Sequence, residues 1–294
     1  MFKKMLAISV LGLSSAHTFA LENGISAYPN GVENFMAAAV PPPGVYELLY
    51  ATHYHADRLN DQNGDNLNIP NFDVTTNVIA ARSVWVSEQK ILGGNLNFNL
   101  LLPFVTLDAD LMDQSVSKQG IGDISIGSAI SFHHSPHFHS VGGFDVYLPT
   151  GDYDKNDIAN IGSNTKSIDL MYAMSYIGEN TIHADIKMGY LIYGKNDDTN
   201  YANADQFHFD YALGKNISNM TFGVGGGFST QIDDDKQNGV TVDNSKTTSF
   251  SLGPSFKYMG KNWFVTAKWQ KELVAKNQTE GDQIWIKFAF PKLF

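Results

Sequence analysis

The sequence lacks cysteine, has few basic residues and contains no long apolar run. With no cysteine among 294 residues, it cannot form a disulfide framework, a thiolate metal site, a cysteine nucleophile or a lipid-anchored N-terminal cysteine. Lys and Arg number 20 against 30 Asp and Glu, so we expect no nucleic-acid partner, because phosphate contacts need clustered basic side chains. Beyond position 20, no apolar stretch approaches the roughly 18 to 20 residues of a transmembrane helix.

Aromatic residues and glycine are abundant instead. The chain has 19 Phe, 13 Tyr, 4 Trp and 26 Gly, and 43% of its residues are hydrophobic. This composition argues against disorder. The length is enough for one large domain or two ordinary ones.

The first twenty residues have the pattern of a secretory signal peptide. Lys3 and Lys4 form a basic head, residues 5–13 are apolar, and the segment ends in small residues at Ala20. We expect cleavage after Ala20, with Ala16 as a second position and a short buried helix as the alternative interpretation. Loss of the two lysines would change the formal net charge of the mature chain from −10 to −12.

The rest of the chain alternates between apolar and polar residues. Twelve segments of about ten to fourteen residues between Gly44 and Phe290 carry apolar side chains at every second position, as in Ile284, Ile286 and Phe288. That period is typical of strands with one face in an apolar medium. Helical periodicity is nearly absent.

The second strand departs from this pattern. Arg82 shares its parity with Val78, Ala80 and Val84, which predicts a bulge or an interface position there. Aromatic residues near the predicted strand ends are expected to form girdles at the two membrane interfaces: Tyr50, Tyr54, Trp85, Tyr176, Tyr190, Tyr258, Trp263 and Trp269.

The connections alternate in length. Short turns are predicted near residues 89–94, 135–137, 178–180, 216–219 and 259–261, and long polar loops near 55–72, 107–119, 151–162, 195–204, 232–245 and 275–281. This asymmetry indicates an all-β fold, a closed antiparallel transmembrane β-barrel of about 12 strands with short periplasmic turns and long extracellular loops. We assign residues 44–294 to the barrel. A β-sandwich or a periplasmic half-barrel is the alternative.

Both ends of the barrel carry further signals. Phe294 is the terminal aromatic residue with which barrel strands commonly end, and we interpret it as a signal for the barrel-assembly machinery. Residues 21–43 precede the first strand and end in Pro41, Pro42 and Pro43, which form a stiff hinge. Residues 32–39 have the potential to form a short helix. The segment is either a periplasmic plug or a disordered tether.

Several stretches resemble a known family. They are residues 21–31 (LENGISAYPNG), 41–46 (PPPGVY), 54–64 (YHADRLNDQNG), 120–124 (GIGDI), 148–154 (LPTGDYD) and 160–164 (NIGSN). Together they are similar to the outer-membrane proteins of the meta-pathway of phenol degradation. The resemblance implies a transporter or channel loosely related to barrels that admit hydrophobic and aromatic compounds.

If the apolar parity faces lipid, the opposite parity lines the lumen, because charges in the bilayer are costly. Acids come mainly from the first two-thirds of the barrel and lysines from the last third, so they form either internal ion pairs or a transverse field. The predicted lumen-lining residues are Glu47, Asp123, Asp145, Asp169, Asp185, Lys187, Asp210, Lys257, Lys268 and Lys287.

We expect neither catalysis nor a metal or cofactor. A cluster at residues 132–140 offers His133, His137, His139 and serines, but it lies at a predicted periplasmic turn, where the histidines alternate between faces. Residues 61–65 and 233–235 resemble loops that bind hard cations, but the first lacks a glutamate at its twelfth position, which is Phe72, and we interpret both as acidic external loops.

We therefore predict a monomeric or trimeric passive channel for small solutes. The prediction that these solutes are hydrophobic or aromatic compounds rests on the resemblance alone. Its location would be the outer membrane of a Gram-negative bacterium after signal-peptide cleavage. The expected partners are outer-membrane lipids, lipopolysaccharide, the barrel-assembly machinery and a small-molecule solute. The alternative is a structural or adhesive barrel with a blocked lumen that binds partners through its external loops.

Overall fold

The computed structural model describes residues 26–291. The predicted signal peptide at residues 1–20 and the predicted assembly signal at Phe294 lie outside this range. Within it, no helix is both long enough and apolar enough to cross a membrane.

Alternating side chains produce long antiparallel strands. In chain order these are β1 (Gly44–Leu59), β2 (Asp73–Ile91), β3 (Gly94–Leu111), β4 (Gln114–Ile121), β5 (Ile124–His133), β6 (Phe138–Leu148), β7 (Ser167–Ile177), β8 (Ile182–Tyr193), β9 (Lys195–Asn196), β10 (Tyr201–Ala202), β11 (Gln206–Ile217), β12 (Met220–Gln231), β13 (Lys236–Gln237), β14 (Val240–Thr241), β15 (Thr248–Met259), β16 (Phe264–Lys276) and β17 (Thr279–Pro291). Two-residue strands β9, β10, β13 and β14 form a separate small sheet in the loops.

The large sheet closes into a barrel of twelve strands. Strand β1 pairs with β2 on one side and with β17 on the other, and β3 pairs along its length with β5 and then β4. Strands β4 and β5 therefore share one position in the ring. Closure leaves no edge strand, as lipid requires, because an unpaired backbone group there costs several kcal/mol. The predicted all-β twelve-stranded barrel is confirmed.

The two faces of most strands differ sharply. In β7, Ile168, Leu170 and Tyr172 are exposed on the outer face, whereas Asp169 and Ser175 are buried inside. This is the arrangement of a barrel with an apolar outer band and a polar lumen. The girdle prediction is wrong for two residues. Tyr50 is buried, and both Tyr50 and Tyr54 lie on the inner parity of β1.

One side of the barrel is taller than the rest. Strands β1, β2 and β3 have 16, 19 and 18 residues, whereas a tilted transmembrane strand needs about 9 to 11. The outer face of β3 is apolar from Phe98 to Phe104 and becomes polar at Thr106, and the outer face of β2, apolar except for Ser83 between Trp85 and Ile79, becomes polar at Asn77. We infer that the extracellular ends of β1–β4 rise above the bilayer, and we call this part the raised wall.

Two predicted long loops are wrong because strands continue through them. Residues 107–119 lie mostly in β3 and β4, which are joined by a tight turn at Met112 and Asp113. Residues 275–281 lie mostly in β16 and β17, joined at Asn277 and Gln278. Met112 and Asn277 adopt positive φ angles of 57° and 53°, which allow such short reversals.

Candidate functional site

The segment before the first strand runs inside the barrel. Its side chains and backbone contact residues of strands all around the ring, among them β2, β7, β8, β11, β12, β15, β16 and β17. Only a chain in the lumen can reach all of these at once. We call residues 26–43 the plug. They form turns and bends, so the short helix expected at residues 32–39 is absent.

Asp210 on β11 is the main acceptor for the plug. It accepts hydrogen bonds from the Tyr28 hydroxyl at 2.6 Å, the Gly31 backbone N–H at 2.6 Å and the Glu33 backbone N–H at 2.8 Å. Three donors directed at one buried carboxylate hold the plug backbone in a fixed turn, because bonds to a charged acceptor are stronger than neutral ones. Asp185 on β8 similarly accepts from the Ala37 backbone N–H at 2.9 Å.

Two lysines of the last two strands also bind the plug. Lys268 Nζ on β16 donates to the Glu33 carbonyl at 2.8 Å and to the Gly31 carbonyl. Lys287 Nζ on β17 donates to the Glu33 carboxylate at 2.7 Å. The acids and lysines of the wall thus bind the backbone and side chains of the plug between them.

Aromatic side chains fill the remaining space. The Tyr28 ring stacks on His208 with centroids 3.9 Å apart, and Lys187 Nζ lies 4.4 Å from the centre of the same ring. Phe35 is fully buried beside His183. Burial and the Asp210 carboxylate raise the pKa of the Tyr28 hydroxyl well above its usual range, so Tyr28 stays a hydrogen-bond donor.

Glu33 lies at the centre of a charge network. Burial raises the pKa of its carboxyl, but Lys287, Lys187 and Arg82 together lower it to about 2. Arg82 Nη1 lies 3.8 Å from Glu33 Oε1, and Arg82 Nη2 lies 3.6 Å from Asp145 Oδ2. Glu33 is therefore ionised inside the lumen and is paired on both sides.

This network separates two cavities. The upper cavity, on the extracellular side, has a volume of about 460 Å³, and the lower cavity, on the periplasmic side, about 520 Å³. Both are lined by Glu33, Tyr50, Arg82 and Lys187. The plug packs against most of the barrel wall and leaves space along β1–β3, and that space is interrupted where Glu33 meets Arg82.

The structure brings most of the predicted lumen-lining residues to the inner face. They include Asp185, Lys187, Asp210, Lys268 and Lys287, whose contacts are given above. Asp145 accepts from Asn99 at 2.9 Å, Asp169 accepts from His208 at 2.9 Å, and Lys257 lies 3.1 Å from His183. Most of these groups have a partner in the plug or on a neighbouring strand. Their arrangement is one of local ion pairs and hydrogen bonds.

Two of the predicted lumen-lining residues lie elsewhere. Glu47 shares the outer parity of β1 with exposed Val45 and Leu49 and accepts from Ser83 Oγ at 2.7 Å, so its expected lumen position is wrong. The alternation in β1 is too weak to fix its inner face. Asp123 lies at the break between β4 and β5 and anchors the loop after β6, accepting from Gly151 N at 2.9 Å and Ser163 Oγ at 2.6 Å.

The sequence reasoning missed Tyr28, Glu33 and Arg82. The first two lie before the strands, where no alternation marks an inner face. Arg82 carried a signal, because an arginine among apolar residues of one parity is costly in lipid. That whole parity of β2 faces the lumen, and no bulge occurs at Arg82, since the register of β2 shifts only beyond Val86.

The histidine cluster lies at the turn between β5 and β6. His133 Nδ1 and His139 Nδ1 are 2.8 Å apart, and His134 Nε2 is 2.8 Å from Ser140 Oγ. Across residues 26–291, no group of three or more His, Asp or Glu side chains is arranged to hold a metal ion.

Comparison with known proteins supplies a family and a fold. The model of the family described as "Putative MetA-pathway of phenol degradation" matches residues 56–288. The COG4313 outer membrane channel from Pseudomonas putida F1 is 17% identical with a TM-score of 0.76, over 90% of this chain and 99% of that one. The beta domain of the Bordetella autotransporter BrkA is 9% identical with a TM-score of 0.54, over 85% and 100% of the two chains. These likenesses show a shared outer-membrane barrel fold. No curated protein matches the chain.

Proposed function

We propose, because this chain belongs to the MetA-pathway of phenol degradation family, that it is a passive outer-membrane channel for small hydrophobic or aromatic solutes. The observation that carries the channel is the pair of cavities on either side of the Glu33–Arg82 contact. They lie on either side of this contact, and both are also lined by Tyr50 and Lys187.

The cargo is supported by the family description, which names phenol degradation, and by the apolar residues along the upper cavity. The name of the similar Pseudomonas putida protein is that of an outer membrane channel, which agrees with the proposal. We further propose that the chain is exported by its N-terminal signal and assembled through Phe294, and that its acidic external loops contact lipopolysaccharide.

The barrier between the cavities is built from side chains that can move. Arg82 lies at ion-pair distances of 3.8 and 3.6 Å from Glu33 and Asp145, and its Nε donates to Asn99 Oδ1 at 3.1 Å. A modest displacement of the arginine or of the plug would join the two cavities. The proposed gate is therefore the Glu33–Arg82 pair.

The test is conductance in planar bilayers together with uptake of a neutral phenolic into liposomes. Arg82→Ala should raise conductance and uptake above those of the unmodified protein, because it shortens the side chain that separates the cavities. Glu47→Gln is the matched control, since Glu47 lies on the outer face. If neither the unmodified protein nor the Arg82 variant conducts or admits solute, the channel is excluded and a structural or adhesive barrel with a blocked lumen replaces it.

A further inference from the structure

We propose that the upper cavity is a saturable binding site for an uncharged ring compound, and that it selects such a compound over its carboxylate. The assignment of this compound as transported cargo rests on the proposed function, whereas the binding itself does not. The site lies between the inner face of the raised wall and the outer end of the plug.

Apolar side chains of β2 and β3 form one wall of the upper cavity. It is lined by Val74 and Val78 from β2 and by Leu101, Val105 and Leu107 from β3. Ile161, from the loop after β6, belongs to the same hydrophobic cluster as Leu107. A volume of about 460 Å³ falls within the range of small-molecule pockets. Apolar side chains exposed to a cavity of this size favour a ligand that removes them from water.

The position of the apolar face is unusual for a barrel. On the raised wall the polarity of the strands is reversed: Thr106, Asp108 and Asp110 face outward, and Leu107 and Ala109 are buried on the inner side. The outer side there is water and needs no apolar residues. The apolar inner face is therefore not a consequence of membrane insertion, and it gives the mouth a surface on which an apolar solute can bind before it reaches bilayer depth.

The charges at the floor of the cavity are already compensated. Glu33 is paired with Lys287 and Arg82, Asp145 with Arg82 and Asn99, and Lys187 lies over the Tyr28 ring. Of the two cations that line the cavity, Arg82 and Lys187, only Lys187 lies outside these ion pairs, and a carboxylate ligand would have to draw it away from the Tyr28 ring. The ligand would also lose its hydration and face the carboxylates of Glu33, Asp123 and Asp145, which is unfavourable in a largely apolar site. An uncharged compound avoids this cost.

Aromatic side chains complete the site. Tyr50, Tyr147 and Trp285 all line the cavity and are at most 8% exposed. Rings packed against aromatic side chains gain energy beyond the area they bury. Trp285 also supplies a reporter, because the other three tryptophans, Trp85, Trp263 and Trp269, are exposed and do not line this cavity.

The experiment uses the full chain in detergent with Trp85→Phe, Trp263→Phe and Trp269→Phe, so that fluorescence reports Trp285. Nitrobenzene and 4-nitrobenzoate are the probes, because they share a quenching ring and differ in charge. Nitrobenzene should quench the Trp285 fluorescence to a saturating level. The concentration of 4-nitrobenzoate at half-saturation should be at least about tenfold higher than that of nitrobenzene.

Wall variants locate the site. In the same background, Val74→Asn and Val105→Asn should weaken nitrobenzene binding about tenfold, because each places an amide in the apolar wall. Thr75→Asn, on the outer face beside Val74, should leave binding unchanged. Retention of heat-modifiable electrophoretic mobility shows that each variant is folded.

Three results would overturn the site, and the first two are equal quenching by both probes and equal binding by the inner and outer variants. Linear quenching without saturation would count in the same way, because it indicates partition into the micelle. Solute flux into liposomes separates this inference from the proposed channel. Flux without selective binding removes the site alone, and binding without flux removes the channel alone.

Discussion

Individual buried charges in this barrel are arranged around the plug and not only around each other. Asp210, Lys268 and Lys287 are each at most 3% exposed, and each bonds to the plug. Removing one partner of such a buried contact is costly, because the other partner is then left without compensation. The plug and the lumen wall are therefore mutually dependent at the level of single side chains.

Asp210→Asn should loosen the plug. An asparagine oxygen cannot replace a carboxylate that accepts from Tyr28, Gly31 and Glu33, and its amide group adds donors where donors already converge. We expect the plug to lose about 2 kcal/mol of docking energy, which multiplies the open population by about 30. Single-channel open probability measures this. Asp108→Asn, on the outer face of the raised wall, is the control, and equal open probabilities would contradict the assignment.

Acid should open the channel through Glu33. The pKa of its carboxyl is about 2 in the docked plug against an ordinary value of 4.5, because Lys287, Lys187 and Arg82 outweigh the effect of burial. A lowered pKa stabilises the docked state fully above about pH 4.5, and this contribution is lost as the pH falls towards 2. Conductance should rise through that interval. Glu33→Gln should conduct at neutral pH and lack this rise, whereas an unchanged pH profile in the variant would assign the response to other groups.

Among the elements, the strands within the bilayer could be predicted and the raised wall could not. Alternation identifies apolar outer faces such as Ile168 and Leu170 because lipid demands them. Above the bilayer that demand ends, so β3 and β4 carry polar outer residues and resemble a loop in sequence. The plug was foreseen only as one of two alternatives, since its position depends on Asp210 and Lys268, far away in the chain.

Strand β12 approaches the plug where it lacks side chains. A Cβ atom at Gly227 would lie 2.6 Å from the Gly31 nitrogen and 3.0 Å from Asp210 Oδ1. Gly227 thus provides space for the plug backbone.

Gly227→Ala should therefore displace the plug without opening the barrel. The methyl group would overlap the Gly31 backbone, which is held by Asp210 and cannot shift freely. We expect higher conductance and greater cleavage of the plug by added protease. Gly142→Ala is the matched control, since its methyl group would meet only the Tyr172 ring at 3.3 Å. Equal protease sensitivity in both variants would show that the plug tolerates the substitution.

At the scale of the whole molecule, the hydrogen-bonded sheet of the barrel and the plug are separate structures. The ring of pairings runs from β1 through β17 and back to β1 without using any residue before Gly44. The plug contributes side-chain and backbone contacts to the inner face only. Stability of the barrel thus comes from a closed hydrogen-bonded sheet, and the plug occupies the lumen that the sheet encloses.

Deleting residues 21–39 should leave a folded barrel with a wide lumen. The ladder remains complete, so the variant should keep heat-modifiable mobility in SDS, with a lower unfolding temperature because Asp210, Lys268 and Lys287 lose their partners. Water and counterions can reach those groups once the lumen is open, which limits the loss. Conductance should rise severalfold, and the acid response of Glu33 should disappear with it. A variant that fails to fold would mean that the plug is part of the barrel's core, and a folded variant with unchanged conductance would mean that the lumen is closed elsewhere, by the extracellular loops.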